Sequence, residues 1–311
     1  MSGPLVVAIY GATGTGKTRL AVDLADRLPC RLISCDALQV YRDFRVATEK
    51  PRGAEARHPW ALVDWVEPTR DVNLGDWVRA AEAEIRAAQA AGEVPVVVGG
   101  TGLYLRGLLK GVAAAPARDP VLRRRIAALA ERHGAPFLHR VLSRLDPATA
   151  ARLGPRDRQR IVRALEVRVG SGSSLASLQG SGFTRPDRFA TYRVGLALPR
   201  EALYQRLDAR AAGYLAAGLV EEVRWLLETR RVPRSANAFR ALGYREVLAC
   251  LDAPPEAGGE AALLERIQRN TRRYAKRQAT WFRGEAGTTW YDPREPDLPD
   301  RLAARIPQAG G

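Results

Sequence analysis

The stretch Gly11-Ala12-Thr13-Gly14-Thr15-Gly16-Lys17-Thr18 constrains this chain more than any other part of it. It follows an apolar run, Leu5-Val-Val-Ala-Ile-Tyr10, and opens an amphipathic stretch from Thr18 to Leu28. A strand, a glycine turn spaced G-x-x-x-x-G-K-[ST] and a helix, in that order, make a phosphate-binding loop. Its glycines let the backbone wrap closely enough to aim several N–H groups at phosphate oxygens. The helix start adds its positive end. Lys17 is placed to reach a terminal phosphate, and the Thr18 hydroxyl to hold a magnesium ion. Such a loop recognises a di- or triphosphate, and nothing in it demands a nucleotide.

The next segments repeat the alternation. Arg31-Leu-Ile-Ser34 reads as a second strand, Gly75 to Ala91 as a helix closed by Gly92, and Val94-Pro-Val-Val-Val98 as a buried strand ending at Gly99-Gly100. Strands alternating with helices predict an α/β fold with a parallel, P-loop NTPase-like sheet, whose ligands bind at the carboxyl ends of its strands. Asp36 and Thr101 fall on that edge. A carboxylate there can ligate magnesium, accept a proton or cap the next helix. A threonine after Gly-Gly can equally be a cap. Together, facing a phosphate loop, the two suit group transfer from a phosphorylated donor.

Charge divides the 311 residues unevenly. The 49 basic residues, 45 of them Arg, outnumber 34 acidic ones, for a net +15. Residues 1–112 carry 14 basic and 13 acidic groups (+1), residues 113–195 carry 16 and 6 (+10), and residues 196–311 carry 19 and 15 (+4). Helical patterns fill the basic middle: Pro120–His133, Pro136–Leu145, Pro147–Leu153 and Pro155–Val169, then a Ser/Gly-rich stretch, Gly170–Gly182, expected as a flexible loop. Strand character returns at Tyr192–Leu198. Helices are expected at Glu201–Ala217, Leu219–Arg230, Tyr244–Leu251 and Gly259–Arg283, with a last strand at Thr288–Tyr291. The organisation predicted is a P-loop α/β core of residues 1–112 and 191–311, interrupted by a helical insertion at 113–190.

Two arginine stripes stand out. Arg156, Arg160 and Arg163 are spaced to share one helical face, as are Arg266, Arg269, Arg273 and Arg277, with no acidic i,i+4 partners expected for either stripe; opposite the second, Ile267, Tyr274 and Trp281 would pack on the core. The residues from Arg266 to Arg283 include seven basic side chains and no acid. Charge concentrated in this way is the footprint of a polyanion; the competing reading is a solvated face with a compositional tilt. Other classes drop out. The first apolar run is too short for a secretory signal, and no uncharged apolar stretch of about 18 residues exists to span a membrane. Cys30, Cys35 and Cys250 form no CxxC, and with only His58, His133 and His139 a metal cluster is not expected. The expected setting is a reducing cytoplasm.

The blocks Gly11–Thr18, Ser34-Cys-Asp36-Ala-Leu-Gln39-Val-Tyr41 and Gly99-Gly-Thr101-Gly-Leu-Tyr104 resemble those of the bacterial tRNA dimethylallyltransferases, the tRNA isopentenyltransferase family. The likeness continues through Asp157-Arg-Gln159-Arg160-Ile-Val-Arg163-Ala-Leu-Glu166, Leu203-Tyr-Gln-Arg206-Leu-Asp-Ala-Arg210 and Gly218-Leu-Val-Glu-Glu-Val223. It ends with Arg240-Ala-Leu-Gly243-Tyr244-Arg245-Glu246 and Arg273-Tyr-Ala-Lys276-Arg277-Gln278-Ala-Thr280-Trp281-Phe-Arg283. Several blocks in one order, from about residue 5 to 283, are far more specific than any one motif.

The resemblance implies transfer of a dimethylallyl group from its diphosphate to the exocyclic amine of the adenosine just 3′ of the anticodon of tRNA. Asp36 would take the amine proton, with Thr101 close to the amine and the leaving group. The loop Gly11–Thr18, with Lys17 and Arg210, would hold the diphosphate, and magnesium would be the metal, held by Thr18. Contacts to the anticodon stem-loop would come from Asp36, Ala37, Leu38, Gln39, Thr101 and Arg123, and from Gln159, Arg160, Ile161, Val162 and Arg163. A last group would be Arg240, Tyr244, Arg245, Lys276, Arg277 and Gln278. Ala37 stands where many members carry Ser, and Arg245 where they carry Lys. The zinc-finger extension of eukaryotic relatives is not expected, in keeping with the lack of Cys/His pairs. A monomer without membrane attachment is the expected state.

Two other readings use the same residues. A small-molecule or nucleotide kinase also has an acid after its second strand and arginines on a helical lid. Those serve one phosphate cluster, whereas here the basic excess extends over two segments. A non-enzymatic, nucleic-acid-binding NTPase switch should end a strand in an acid, and Val94–Val98 ends in Gly-Gly.

Overall fold

Val6 to Tyr10 are at most 1% exposed, in a strand (β1, Leu5–Gly11) covered on both faces. Val6, Ala8 and Tyr10 face one apolar cluster and Val7 and Ile9 the other, as the two-residue repeat of a strand requires. The structure is a computed structural model and describes residues 5–112, 119–179, 186–252 and 259–306. β2 (Cys30–Ser34), β3 (Trp60–Ala61), β4 (Val94–Gly99), β5 (Ala190–Leu196) and β6 (Thr289–Tyr291) complete the sheet. Its order is β3-β2-β4-β1-β5-β6, and every pairing is parallel. This is the P-loop-like α/β architecture the alternation predicts.

Residues up to 109 and from 187 onward form one compact unit, and residues 110–186 another. The first closes where the backbone N–H of Arg188 donates to the carbonyl of Leu109 (2.8 Å). It holds α1 (Lys17–Ala25), α2 (Leu74–Ala90) and α3 (Gly102–Lys110). The Asn73 side chain caps α2 by accepting from Gly75 and Asp76 N–H, with Asp76 returning a bond to Asn73 N–H.

The second unit is α4 (Pro120–His133), α5 (Ala135–Leu145), α6 (Pro147–Ala150), α7 (Arg158–Ser171) and α8 (Leu175–Gln179), around a core that includes Leu138, Leu142, Ile161 and Leu165. The first unit resumes with α9 (Arg200–Ala216), α10 (Leu219–Glu228), α11 (Tyr244–Leu251), α12 (Glu260–Arg283) and α13 (Leu298–Arg305). Among the described residues no helix is long and apolar enough to cross a membrane.

Two expectations are corrected. α7 starts at Arg158 rather than Pro155, because the Asp157 carboxylate caps it by accepting from Arg160 N–H. Arg156 therefore lies before the helix and does not share a helical face with Arg160 and Arg163. The stretch 170–182 is not simply a loop: α7 runs to Ser171, and α8 occupies Leu175–Gln179. Residues 180–182 of it lie outside the described residues.

The ends of β2 and β4 approach so closely that a Cβ on Gly99 would sit 2.0 Å from the Cys35 carbonyl oxygen. Backbone cannot yield there as a side chain can. Gly99→Ala is expected to cost about 1–3 kcal/mol, the range for overpacking, measured as a lower denaturant midpoint. An unchanged midpoint would show that the strands can part freely.

Candidate active site

The phosphate loop turns through Gly14 (φ 84°) and Gly16 (φ 82°), a left-handed backbone that side chains resist. Thr15 N–H and hydroxyl both bond to the Ala12 carbonyl, and so does the Lys17 ammonium (2.8 Å). The first N–H groups of α1 have no partner inside the helix, as at any helix start. The loop borders a cavity of about 340 Å³, which also takes in Thr18, Asp36, Gln39, Gly99 and Gly100. The far wall comes from Arg206, Arg210 and Tyr214 on α9, Arg245 on α11, and Tyr274, Arg277 and Gln278 on α12.

Asp36 lies two residues beyond the end of β2, where the parallel sheet opens. Its Oδ1 accepts from the backbone of Leu38 (2.8 Å) and Gln39 (3.4 Å), so the capping role is real. Oδ2 has no hydrogen-bond partner among the described residues. Burial pushes the carboxyl above its ordinary value, opposed by those two N–H bonds and by the Lys17 charge. Burial likewise pushes Lys17 down to about 8, against the attraction of Asp36. One end of Asp36 thus holds a turn while the other is a proton acceptor of raised basicity.

Thr101 does not border that cavity. Its hydroxyl accepts from the Ala37 backbone N–H (3.2 Å), tying the end of β4 to the Asp36 turn. Gln39 accepts from the Ser34 hydroxyl and donates to the carbonyls of Thr48 and Glu49. Arg210 is held by Glu49 (3.0 Å), a cavity residue with no periodic pattern to announce it in the sequence. Tyr274, expected on the core, instead lines the cavity. Of its stripe Ile267 is buried, and Trp281 is partly buried beneath the Arg106 guanidinium. The C-terminal stripe is not free of acids either, since Arg269 pairs with Glu265 (3.6 Å).

Several expected nucleic-acid contacts are buried, and their side chains cannot serve. Ile161 (0% exposed) and Val162 (5%) belong to the helical unit's core. Tyr244 is fully buried among Phe44 and Phe239 and donates its hydroxyl to Glu222. Gln278 is 6% exposed, with both ends of its amide engaged inside the protein. Leu38, Arg240, Arg245 and Arg277 do line the cavity. Gln159, Arg160 and Lys276 are exposed, and Ala37 is partly so.

In the helical unit, Glu166 is a buried carboxylate that the sequence reading overlooked. It accepts from Asp119 N–H and pairs with Arg123 (3.2 Å) and Arg163 (3.1 Å). Arg163, from the first arginine stripe, thus has an acidic partner three residues along α7. Arg160, 70% exposed, has Asp157 at 3.5 Å as its one acidic partner among the described residues. If Arg160 meets the polyanion expected from the charge pattern, Arg160→Gln should lower the slope of log affinity for that nucleic acid against log salt by about 0.7–1. Arg163→Gln should instead destabilise the fold by about 3 kcal/mol, by stripping a partner from a buried charge. Salt titration and thermal unfolding separate the two, and equal effects from both variants would overturn the distinction.

A family model described as IPP transferase matches residues 39–285, and one described as isopentenyl transferase matches 4–59. The chain belongs to the IPP transferase family. It is 43% identical over 302 residues to the tRNA dimethylallyltransferase of Anaeromyxobacter dehalogenans, covering 97% of this chain and 98% of that one. It is 42% identical over 288 residues to tRNA dimethylallyltransferase 1 of Trichlorobacter lovleyi, covering 92% and 93%. The crystal structure of a full-length tRNA isopentenylpyrophosphate transferase from Bacillus halodurans superposes with a TM-score of 0.70 at 31% identity, over 99% of this chain and 98% of that one. A eukaryotic dimethylallyltransferase acting on tRNA gives 0.78 at 25% identity, over 97% and 77%.

Proposed function

We propose that the protein transfers the dimethylallyl group of dimethylallyl diphosphate to the exocyclic N6 amine of the adenosine 3′ of the anticodon, giving N6-isopentenyladenosine and diphosphate. The carrying observation is that a phosphate loop and a half-buried carboxylate with one oxygen unengaged border one cavity. The allylic C–O bond breaks, and its electron pair leaves on the diphosphate. The N6–C bond forms, and the amine proton passes to Asp36.

Stabilising the departing anion is the main electrostatic task, and the loop N–H groups, Lys17 and Arg210 are suited to it. The amine is a poor nucleophile because its lone pair is shared with the ring, so orientation and proton acceptance are what the chain supplies. Thr101 acts here through the Ala37 backbone, which orients the Asp36 turn.

The residues fit a magnesium ion. The Thr18 hydroxyl lines the cavity without a hydrogen-bond partner among the described residues, and none of those residues forms a cluster of three His, Cys, Asp or Glu side chains for a protein-enclosed metal. Magnesium needs only one or two protein oxygens when phosphate oxygens and water complete its shell. Bound at Thr18, it would supply positive charge to the leaving diphosphate.

A base within an anticodon loop must be splayed out to enter such a cavity, and single-stranded loops are where RNA is read. Arg160 on the helical unit and Arg240, Arg245 and Arg277 around the cavity supply the charge for the backbone. The protein acts as a cytoplasmic monomer in this reading.

The test is incubation with undermodified total tRNA and dimethylallyl diphosphate, digestion to nucleosides and mass analysis. The expected product is adenosine carrying one added dimethylallyl mass. No added mass, with radiolabelled phosphate moving from ATP to a small acceptor, would establish the kinase reading instead.

A further inference from the structure

The loop does not offer all its N–H groups to a ligand. Thr13 N–H donates to Oε1 of Gln278 (2.9 Å), a residue 265 positions further along the chain. The Nε2 of the same amide donates to the Gly100 carbonyl (2.8 Å). Gln278 lies on α12, buried, with Tyr274 and Arg277 of that helix in the cavity wall. A Cβ on Gly100 would fall 2.3 Å from the amide nitrogen, so the glycine leaves just the room that the side chain uses. One amide therefore spans the gap between the phosphate loop after β1 and the chain leaving β4.

Each end is chemically specific. Only an acceptor can meet Thr13 N–H, and only a donor can meet the Gly100 carbonyl. A carboxylate of the same length keeps the first bond and loses the second; a thioether of similar volume loses both.

We propose that Gln278 is a positioning residue for the diphosphate: it fixes the phosphate loop against the end of β4 and touches no part of the tRNA. The inference rests on the diphosphate being the loop's ligand. Without the strut, the loop's free N–H groups and Lys17 no longer converge on one anion, and anion affinity falls while the nucleic-acid surface is untouched.

The probe is inorganic pyrophosphate with magnesium, titrated calorimetrically into the full chain without tRNA. Gln278→Met is expected to weaken pyrophosphate binding about tenfold, as loss of two buried hydrogen bonds implies, and Gln278→Glu to fall between it and the parent. In steady state the same ordering should appear in KM for the prenyl donor, with KM for tRNA within about twofold of the parent. A parallel loss of tRNA affinity would make Gln278 a nucleic-acid contact and overturn the proposal, as would unchanged pyrophosphate binding in both variants. Should Gln278→Met fail to fold, Gln278→Glu decides alone: parent-like pyrophosphate binding refutes the strut. Parent protein that binds pyrophosphate but prenylates no tRNA would refute the prenyl-transfer reading and leave this measurement intact.

Discussion

Asp36→Asn lowers the prenyl-transfer rate by about 10³-fold, within the range for losing a positioned general base, and leaves tRNA affinity within about twofold. The size of the effect follows from how the two carboxylate oxygens are used. An asparagine can keep its carbonyl oxygen on the N–H groups of Leu38 and Gln39, so the turn survives. That choice aims the amide NH2 into the cavity, where a donor stands in place of the acceptor the N6 proton needs. Single-turnover rates with saturating tRNA check this. A rate equal to the parent's removes Asp36 from the chemistry. The parent should also show an acid limb, because only the ionised carboxylate accepts a proton. Burial raises the Asp36 pKa, so that limb lies above the range of an exposed aspartate, with activity lost as pH falls through it. The Asn variant should have no such limb.

Lys17→Ala weakens dimethylallyl diphosphate binding by about 10–100-fold, the worth of a charge-assisted hydrogen bond in a partly desolvated site. In the structure the ammonium rests on the Ala12 carbonyl of its own loop, a neutral partner it can surrender to an anion. Burial holds its pKa near 8, and the cation is the form that binds. In the free enzyme the cation prevails below that pH and is lost above it. Donor kcat/KM should therefore decline as pH rises past about 8, a limb absent from Lys17→Ala. Once diphosphate is bound its charge favours the ammonium, so kcat should hold to higher pH than kcat/KM. Equal donor affinity in parent and variant, by equilibrium binding, would remove Lys17 from the site.

The parts of this design that follow local rules were legible in the sequence. The phosphate loop announced itself by spacing, β1 and β4 by unbroken apolar runs, and α2 by its cap and periodicity. Asp36 was visible because a parallel sheet opens at the end of its strand. What the sequence hid depends on partners far along the chain. Ile161, Val162, Tyr244 and Gln278 sit in blocks rich in arginine, and charge around a residue says nothing of which way its own side chain turns. The pairing of Glu166 with Arg123 needs α4 packed on α7, which no spacing rule encodes. β3 is two residues long, too short for any periodicity. Glu49 lies in an irregular segment, and its tie to Arg210 crosses 161 positions.

The strand order has a consequence for biosynthesis. β1 is flanked by β4 and β5, and β5 begins only at Ala190, after the whole helical unit has been made. While the ribosome translates residues 110–186, the emerging sheet has four of its six strands, and β1 lacks one neighbour. The helical unit, built from contacts close in sequence, can therefore mature first, whereas its host waits for strands still untranslated. Until Ala190 emerges, one edge of β1 is open to stray pairing, so the nascent chain, more than the finished enzyme, is where protection against aggregation is needed.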